Sequence, residues 1–237
     1  MKCDKQQEII AMFDNIAGSY DLANRILSFG VDTKWRKEAT KLTLKLTDKN
    51  SLNILDVACG TGDMILHWLK NTKSPHKIAS ICGIDPSSEM LKIARQKLPS
   101  EVILQNGEAK KLNIATNSVD ILSIAYGLRN VVELDLALRE FHRTLKERGI
   151  LVILEFCKKY NENIFDKVAR FYTKQILPCI GGLISKNYAA YKYLPNSVDD
   201  FLSLEEITAK LENLGFYIQY NKRYFGNVCS LIIAQKK

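Results

Sequence analysis

The sequence predicts an α/β fold, a mainly parallel sheet with helices on both faces that finishes on an antiparallel strand. Three observations carry this. Short apolar runs alternate with helical patterns between residues 51 and 156. A glycine turn, Gly60-Thr61-Gly62, links the first run to the first of those helices. The chain ends on two strand-like runs, 216–222 and 228–235, joined by the hairpin-length segment 223–227. With 237 residues, 46% hydrophobic and 25% charged, the chain can bury a real core, and wholesale disorder is excluded.

Taken in order, residues 4–17 form an amphipathic pattern with Ile9, Met12, Phe13 and Ile16 on one face. Residues 33–46 place Trp35, Ala39, Leu42 and Leu46 at near-helical spacing. Strands follow at 51–57, 78–84, 102–105, 119–125 and 149–156, with helices at 63–70, 88–97 and 134–145 between them. Seven strands result. The expected organisation is one domain in four parts. These are an N-terminal helical cap (1–50), a core (51–156), an insertion (157–203), and a closing helix with hairpin (204–237). The insertion is rich in aromatics, among them Tyr160, Phe165, Phe171, Tyr172, Tyr188, Tyr191, Tyr193 and Phe201.

The charge balance is +8, with 34 Lys and Arg against 26 Asp and Glu. A surplus of that size fits an anionic partner, either nucleic acid or a lipid surface, or a solvated lysine-rich exterior. The six cysteines are scattered without CxxC, and three histidines add no zinc spacing, so no metal is expected. The N-terminus has no apolar signal region, and the longest apolar run, Ile150–Leu154, is far short of a membrane span. A reducing cytoplasm is the expected compartment.

The glycine turn reads Asp56-Val57-Ala58-Cys59-Gly60-Thr61-Gly62-Asp63. No Gly-Lys-Ser/Thr follows, which removes a P-loop, and Ile65 stands where a dinucleotide fingerprint needs its third glycine. The remaining pattern, D-x-x-x-G-x-G, is that of class I S-adenosylmethionine-dependent methyltransferases. Asp56 at the strand end can hold an ammonium, while backbone donors at Gly60 and Thr61 can hold a carboxylate. Asp85, closing the second strand, can accept from both ribose hydroxyls, and Asp85-Pro86-Ser87-Ser88 also has the form of a helix start. Asn106-Gly107-Glu108-Ala109, with Leu112 three residues on, matches the adenine loop of the superfamily, with Glu108 where Asp or Asn is usual. Ala58 and Ala125, at strand ends, complete the expected cofactor wall. The fold class is therefore a Rossmann-like seven-stranded methyltransferase sheet with N-terminal helices and an aromatic helical insertion.

Longer motifs narrow the reading. Phe13-Asp14-x-Ile16-Ala17-x-x-Tyr20-Asp21-x-x-Asn24, Trp35-Arg36, Tyr126-Gly127-Leu128-Arg129-Asn130-Val131 and Leu154-Glu155-Phe156 occur in order. Leu177-Pro178-x-Ile180-Gly181-Gly182 and Tyr191-x-Tyr193-Leu194-x-x-Ser197 follow. Over nearly its whole length the chain resembles the ubiquinone/menaquinone biosynthesis C-methyltransferases. It departs from them at Lys146-Glu147-Arg148-Gly149, where that family has Lys-Pro-Gly-Gly, and at Leu112-Asn113-Ile114, where Leu-Pro-Phe is usual.

The resemblance implies S-adenosylmethionine as co-substrate and a prenylated demethylquinol as methyl acceptor, benzoquinol or naphthoquinol. It implies a site built on Arg129, Asn130 and Tyr20. Arg129 would stabilise the developing phenolate while orienting a water, because a guanidinium does not serve as a base. Its competing role is a surface ion pair, with Glu133 as the nearby acid. Asn130 would donate to a quinol oxygen, and Tyr20 would cover the site. The prenyl tail implies association with a membrane surface, for which the insertion and Lys158, Lys159, Lys167, Arg170, Lys174 and Lys186 are the expected contact. A homodimer is the candidate assembly. Nucleic acid is not expected, since the loop after the fourth strand has neither the Pro-Pro-Tyr turn nor the Pro-Cys of base methyltransferases. A lipid-headgroup or small-molecule methyltransferase and a non-catalytic S-adenosylmethionine-binding scaffold are the alternatives.

Overall fold

The computed structural model describes residues 2–158, 188–224 and 229–237. Most of the aromatic insertion, including Tyr160, Phe165, Phe171, Tyr172 and the Leu177–Gly182 motif, lies outside them. So do Lys159, Lys167, Arg170, Lys174, Lys186, the turn residues 225–227 and the side chain of Tyr191.

Two helices precede the sheet, α1 (Lys2–Leu27) and α2 (Val31–Leu46). The first runs ten residues beyond its predicted end at 17. Its apolar stripe continues through Ala23 and Leu27, which pack with Ile16 and Ala17 against Met90. It stops where Phe29 and Gly30 adopt left-handed backbone conformations, φ 51 and φ 71, which an α-helix cannot continue through.

Seven strands follow: β1 (Ser51–Val57), β2 (Lys77–Asp85), β3 (Ile103–Asn106), β4 (Val119–Ala125), β5 (Leu145–Phe156), β6 (Phe216–Arg223) and β7 (Cys229–Lys236). The intervening helices are α3 (Asp63–Asn71), α4 (Ser88–Lys97), α5 (Leu134–Thr144), α6 (Tyr188–Asp199) and α7 (Leu204–Asn213). The sheet order is β3-β2-β1-β4-β5-β7-β6. All pairings are parallel except those of β7, which is antiparallel to both β5 and β6. The last strand thus slots between its neighbours, and β6 takes the edge.

Alternation along β5 explains the two layers. Ile150, Val152 and Leu154 face a core with Ala39 and Leu44 of α2, Ile65 and Trp68 of α3, and Leu91 and Ala94 of α4. Leu151 and Ile153 face the other, with Leu138 and Phe141 of α5 and Ile207 and Leu211 of α7. Both faces are covered, as a parallel sheet requires. β5 begins at Leu145, four residues before its predicted start, and passes through Arg148 at φ 59. The departure from Lys-Pro-Gly-Gly is therefore an irregularity inside a strand.

Strand order reverses between β1 and β4, the place where open α/β sheets bind ligands at the carboxyl ends of their strands. The turns after β1, β2 and β4 meet there. α1 lies across them and packs on α4.

Candidate active site

The turn after β1 is shaped by backbone conformations that favour glycine. Gly60 has φ 53 and Gly62 φ 86, and Ala58 adopts φ 52 without being glycine. A Cβ on Gly60 would meet open space, so the backbone there can face a ligand. Gly62 does something else. It caps α3 and sits under Leu98, whose Cδ1 would lie 2.5 Å from an added Cβ. On the far side, a Cβ on Gly127 would come within 2.5 Å of Ala58 Cβ, so the turns after β1 and β4 touch.

These turns enclose a cleft of about 770 Å³ including its mouth. Asp85, Glu108, Ala109, Ala125, Tyr20 and Asn130 all line it. A second recess of about 330 Å³ continues from it, sharing Tyr20, Ala58, Gly60 and Ala125, and is lined also by Asp56, Thr61, Asp63 and Arg36. Together they suit a nucleoside-sized ligand with an amino-acid end. Of the residues predicted to bind the cofactor, only Gly62 stays out of the walls and acts through the backbone.

Asp56 is 1% exposed and accepts from Ser123 Oγ at 2.6 Å; that hydroxyl in turn accepts from Trp68 Nε1 at 2.9 Å. Burial pushes its carboxyl up to about 7, against the opposing pull of Ser123 and Arg36. Asp85 accepts from the backbone N–H of Gly60 and of Ser87, both at 2.8 Å. Its carboxyl is pushed up to about 6 by burial, opposed by those two amides. Ser87 is the N-cap of α4, accepting from Met90 N–H at 3.1 Å. Asp85 thus braces the start of α4 and also lines the cleft. Glu108 lies 3.3 Å from Lys110, which also pairs with Glu133 at 2.7 Å.

Arg36 is the cation in the recess wall. It is 5% exposed, its Nη1 donates to Asp32 at 2.6 Å, and its guanidinium lies 4.7 Å from the Tyr126 ring centre. Its buried Nε has no hydrogen-bond partner. Asp63 faces the same recess. Burial opposes its ionisation, yet Arg36, Lys97 and Arg25 hold its carboxyl down at about 2. A network then ties α1 to the cofactor turn. Arg25 bonds to both Asp32 and Asp63. Thr61 Oγ1 donates to Asp21 at 2.6 Å, and Lys97 Nζ bonds Asp21 and Asp63 at 2.7 Å each. Asp14 accepts from Ser87 Oγ at 2.5 Å.

At the other end, Tyr20 and Asn130 face the cleft. Burial raises the Tyr20 hydroxyl pKa, with Arg129 and Arg36 pulling it back. Tyr193 donates to Asn130 Oδ1 at 3.0 Å, which turns the Asn130 NH2 the other way. Arg129 sits one layer behind the cleft wall. Its side chain is 6% exposed and its Nη1 donates to Glu155 at 2.6 Å and to the Tyr126 carbonyl at 2.7 Å. Nε donates to Ser197 at 3.2 Å, and the backbone N–H donates to Glu155 at 3.1 Å. The carboxylate that pairs with Arg129 is therefore the wholly buried Glu155 in place of Glu133, because the guanidinium turns inward over Phe156.

Asp63, Lys97 and Glu155 escaped the sequence reading as site residues. Glu155 had a signal: an acid ending the most apolar strand is buried, and a buried carboxylate needs a partner. Tyr193 and Ser197 were legible only as letters in a motif. Among the described residues no group of three His, Cys, Asp or Glu could hold a metal, and the described cysteines are free.

Fold and cleft together are those of an S-adenosylmethionine-dependent methyltransferase. The sheet superposes on such an enzyme from Thermotoga maritima with a TM-score of 0.66, covering 97% of this chain and 100% of that one at 18% identity. A second, from Aquifex aeolicus, gives 0.58 over 84% and 89% at 19% identity. The chain belongs to the ubiE/COQ5 methyltransferase family, whose pattern matches residues 1–236. It is 50% identical to the ubiquinone/menaquinone biosynthesis C-methyltransferase UbiE of Campylobacter jejuni, over 98% of this chain and 99% of that protein. It is 40% identical to the demethylmenaquinone methyltransferase of Thermotoga maritima, over 93% of each.

Proposed function

We propose that the protein methylates a ring carbon of a prenylated demethylquinol, using S-adenosylmethionine. The observation that carries the reading is the half-identity, end to end, with a quinone-biosynthesis C-methyltransferase, in a chain whose Tyr20 and Asn130 face the same cleft as its cofactor turns.

The residues fit the co-substrate. Gly60 leaves room for close approach, Asp85 has oxygens for two ribose hydroxyls, and Glu108 with Ala109 bounds the adenine end. The recess suits a zwitterion: Asp56 for the ammonium, directly or through a water, and the Arg36 guanidinium for the carboxylate. When bound, S-adenosylmethionine supplies an electrophilic methyl on its sulfonium. The chain's own task is to make a ring carbon nucleophilic and to exclude water. Asn130, oriented by Tyr193, donates to one quinol oxygen. Tyr20 closes the site from α1. Arg129, fixed by Glu155 and Ser197, supplies a permanent positive charge behind Tyr20 and Tyr193, favouring the phenolate over the neutral quinol. The hydroxyl and ring protons leave to water.

Among the described residues no helix is long and apolar enough to cross a membrane. The acceptor's prenyl tail resides in a bilayer, so we place the enzyme at the cytoplasmic membrane surface as a peripheral protein. The test is turnover on a short-tail demethylquinone offered reduced or oxidised, read by mass spectrometry. A methyl gained only by the reduced form supports the reading. Equal methylation of both forms, or of neither while S-adenosylmethionine binds, refutes it.

A further inference from the structure

We propose that the corner between α1 and α2 is the surface by which this protein docks on an anionic lipid bilayer; the bilayer's relevance rests on the quinol reading above. Leu22 and Ile26, one turn apart on α1, are 60% and 44% exposed, and Phe29 in the corner is 80% exposed. No other stretch of the described chain gathers exposed large apolar side chains so closely. α2 continues this face with Lys34, Lys37, Lys41 and Lys45, all exposed. At 100° per residue these four fall within an arc of about 80°. The opposite face of α2 carries the buried Asp32, Arg36, Ala39 and Thr43, so the lysines point away from the protein.

Three features separate this face from an ordinary solvated one. First, none of the four lysines pairs with a carboxylate among the described residues, whereas Lys49, Lys97, Lys110 and Lys146 each do. The acids of α2 are engaged elsewhere, Asp32 with Arg25 and Arg36 and Glu38 with Lys222. Second, apolar and cationic parts adjoin. Phe29 immediately precedes the Gly30 cap of α2 and Lys34 lies four residues beyond that cap, so the apolar corner runs directly into the start of the lysine row. A bilayer interface takes both together, apolar tips below the headgroups and ammonium groups against phosphates. Third, α1 itself walls the cleft through Tyr20, while Leu22 and Ile26 are exposed on its outer side, so the docked helix is the one that separates the bilayer from the cleft.

Other occupants fit less well. In a two-fold dimer the patch would meet itself, setting lysines against lysines, and three apolar side chains fall well short of the roughly 800 Å² per partner of a stable interface. Nucleic acid would take the lysines and leave Leu22 and Ile26 in water.

The full-length protein is tested by sedimentation with phosphatidylglycerol vesicles and with phosphatidylcholine vesicles. We expect binding to the first that weakens with salt and little to the second. Replacing Lys34, Lys37, Lys41 and Lys45 by Gln should weaken binding at least about a hundredfold at low salt. Leu22→Ser with Ile26→Ser should remove the part that survives high salt. All six positions are exposed, so melting temperatures should be unchanged, and turnover on a water-soluble short-tail quinol should match the unmodified protein. Turnover on a long-tail quinol in vesicles should fall with binding. Equal sedimentation of the unmodified and four-lysine proteins overturns the proposal. So does failure to bind phosphatidylglycerol, dimerisation that Leu22→Ser abolishes, or RNA binding as tight as vesicle binding. No short-tail turnover by the unmodified protein would break the quinol reading instead, and the vesicle arm would still decide the docking surface.

Discussion

Two buried arginines divide the work of the cleft, and each makes its own prediction. Arg36 lines the recess and lies over the Tyr126 ring. Arg36→Met should lower affinity for S-adenosylmethionine by about ten- to a hundredfold, the weight of a charge-assisted hydrogen bond. It should leave affinity for decarboxylated S-adenosylmethionine nearly unchanged, and equal losses for both ligands would show that the residue is only structural. Arg129 is locked to Glu155. Removing it alone strands a buried carboxylate, so Arg129→Met should destabilise by about 3–5 kcal/mol. Arg129→Met with Glu155→Gln should recover much of that stability, measured by urea titration, and yet remain without turnover. A double variant that turns over would assign Arg129 to packing. Asp56 and Asp85 give the third prediction. With carboxyls raised to about 7 and about 6, these two groups hold more protons in the folded ligand-free chain than in the unfolded chain, where carboxylates titrate near ~4. The stability they contribute should therefore decline as pH rises from about 4 to about 7. An ammonium and ribose hydroxyls favour the ionised carboxylates, so binding at pH 6 should release protons and affinity should climb toward pH 7. Calorimetric heats at pH 6 that do not depend on the buffer's ionisation enthalpy would contradict this.

The elements show how a local rule can be broken without losing the fold. Arg148 holds φ 59 inside β5, where related sequences supply glycine, and its exposed ion pair with Asp48 at 2.9 Å offsets little of the strain. Arg148→Gly should raise stability by roughly 0.5–1 kcal/mol in denaturant titration; a loss would mean that the ion pair outweighs the backbone. Most elements could be read from periodicity, because alternation in β5 and the stripes of α3 to α5 answer to a two-sided core. The end of α1 could not. Ala23 and Leu27 pack on Met90, sixty residues away in sequence, and that contact extends the helix past the point where its own pattern weakens. The start of β5 is hidden for a similar reason, since pairing with Val119 of β4 holds Leu145 in the strand ahead of the polar, turn-like letters that follow.

In the whole molecule, the cofactor turns are legible because glycine spacing and strand-end acids are local signals. The charge network is not, because Asp21, Asp63 and Lys97 meet only after α1, α3 and α4 converge. Neither is the layer behind Asn130, where Arg129, Glu155, Tyr193 and Ser197 come from three separate stretches of chain. That network makes α1 a strap over the cleft, fastened to Thr61 and Ser87, which line the recess and the cleft. S-adenosylmethionine should therefore slow proteolysis within residues 1–30 several-fold, and Asp21→Asn should speed it in the ligand-free protein. Equal cleavage with and without ligand would show that α1 is fastened independently of the site.

The central claim is that this strap and cleft deliver a methyl to carbon on a reduced quinone ring. The measurement that bears on it most directly supplies S-adenosylmethionine with a deuterated methyl, together with chemically reduced short-tail demethylmenaquinone and a demethylated ubiquinone precursor. Carbon NMR then locates the label. Deuterated methyl is expected on a ring carbon of one or both quinols. Label on a quinol oxygen, or none on either quinol while S-adenosylmethionine remains bound, would contradict it.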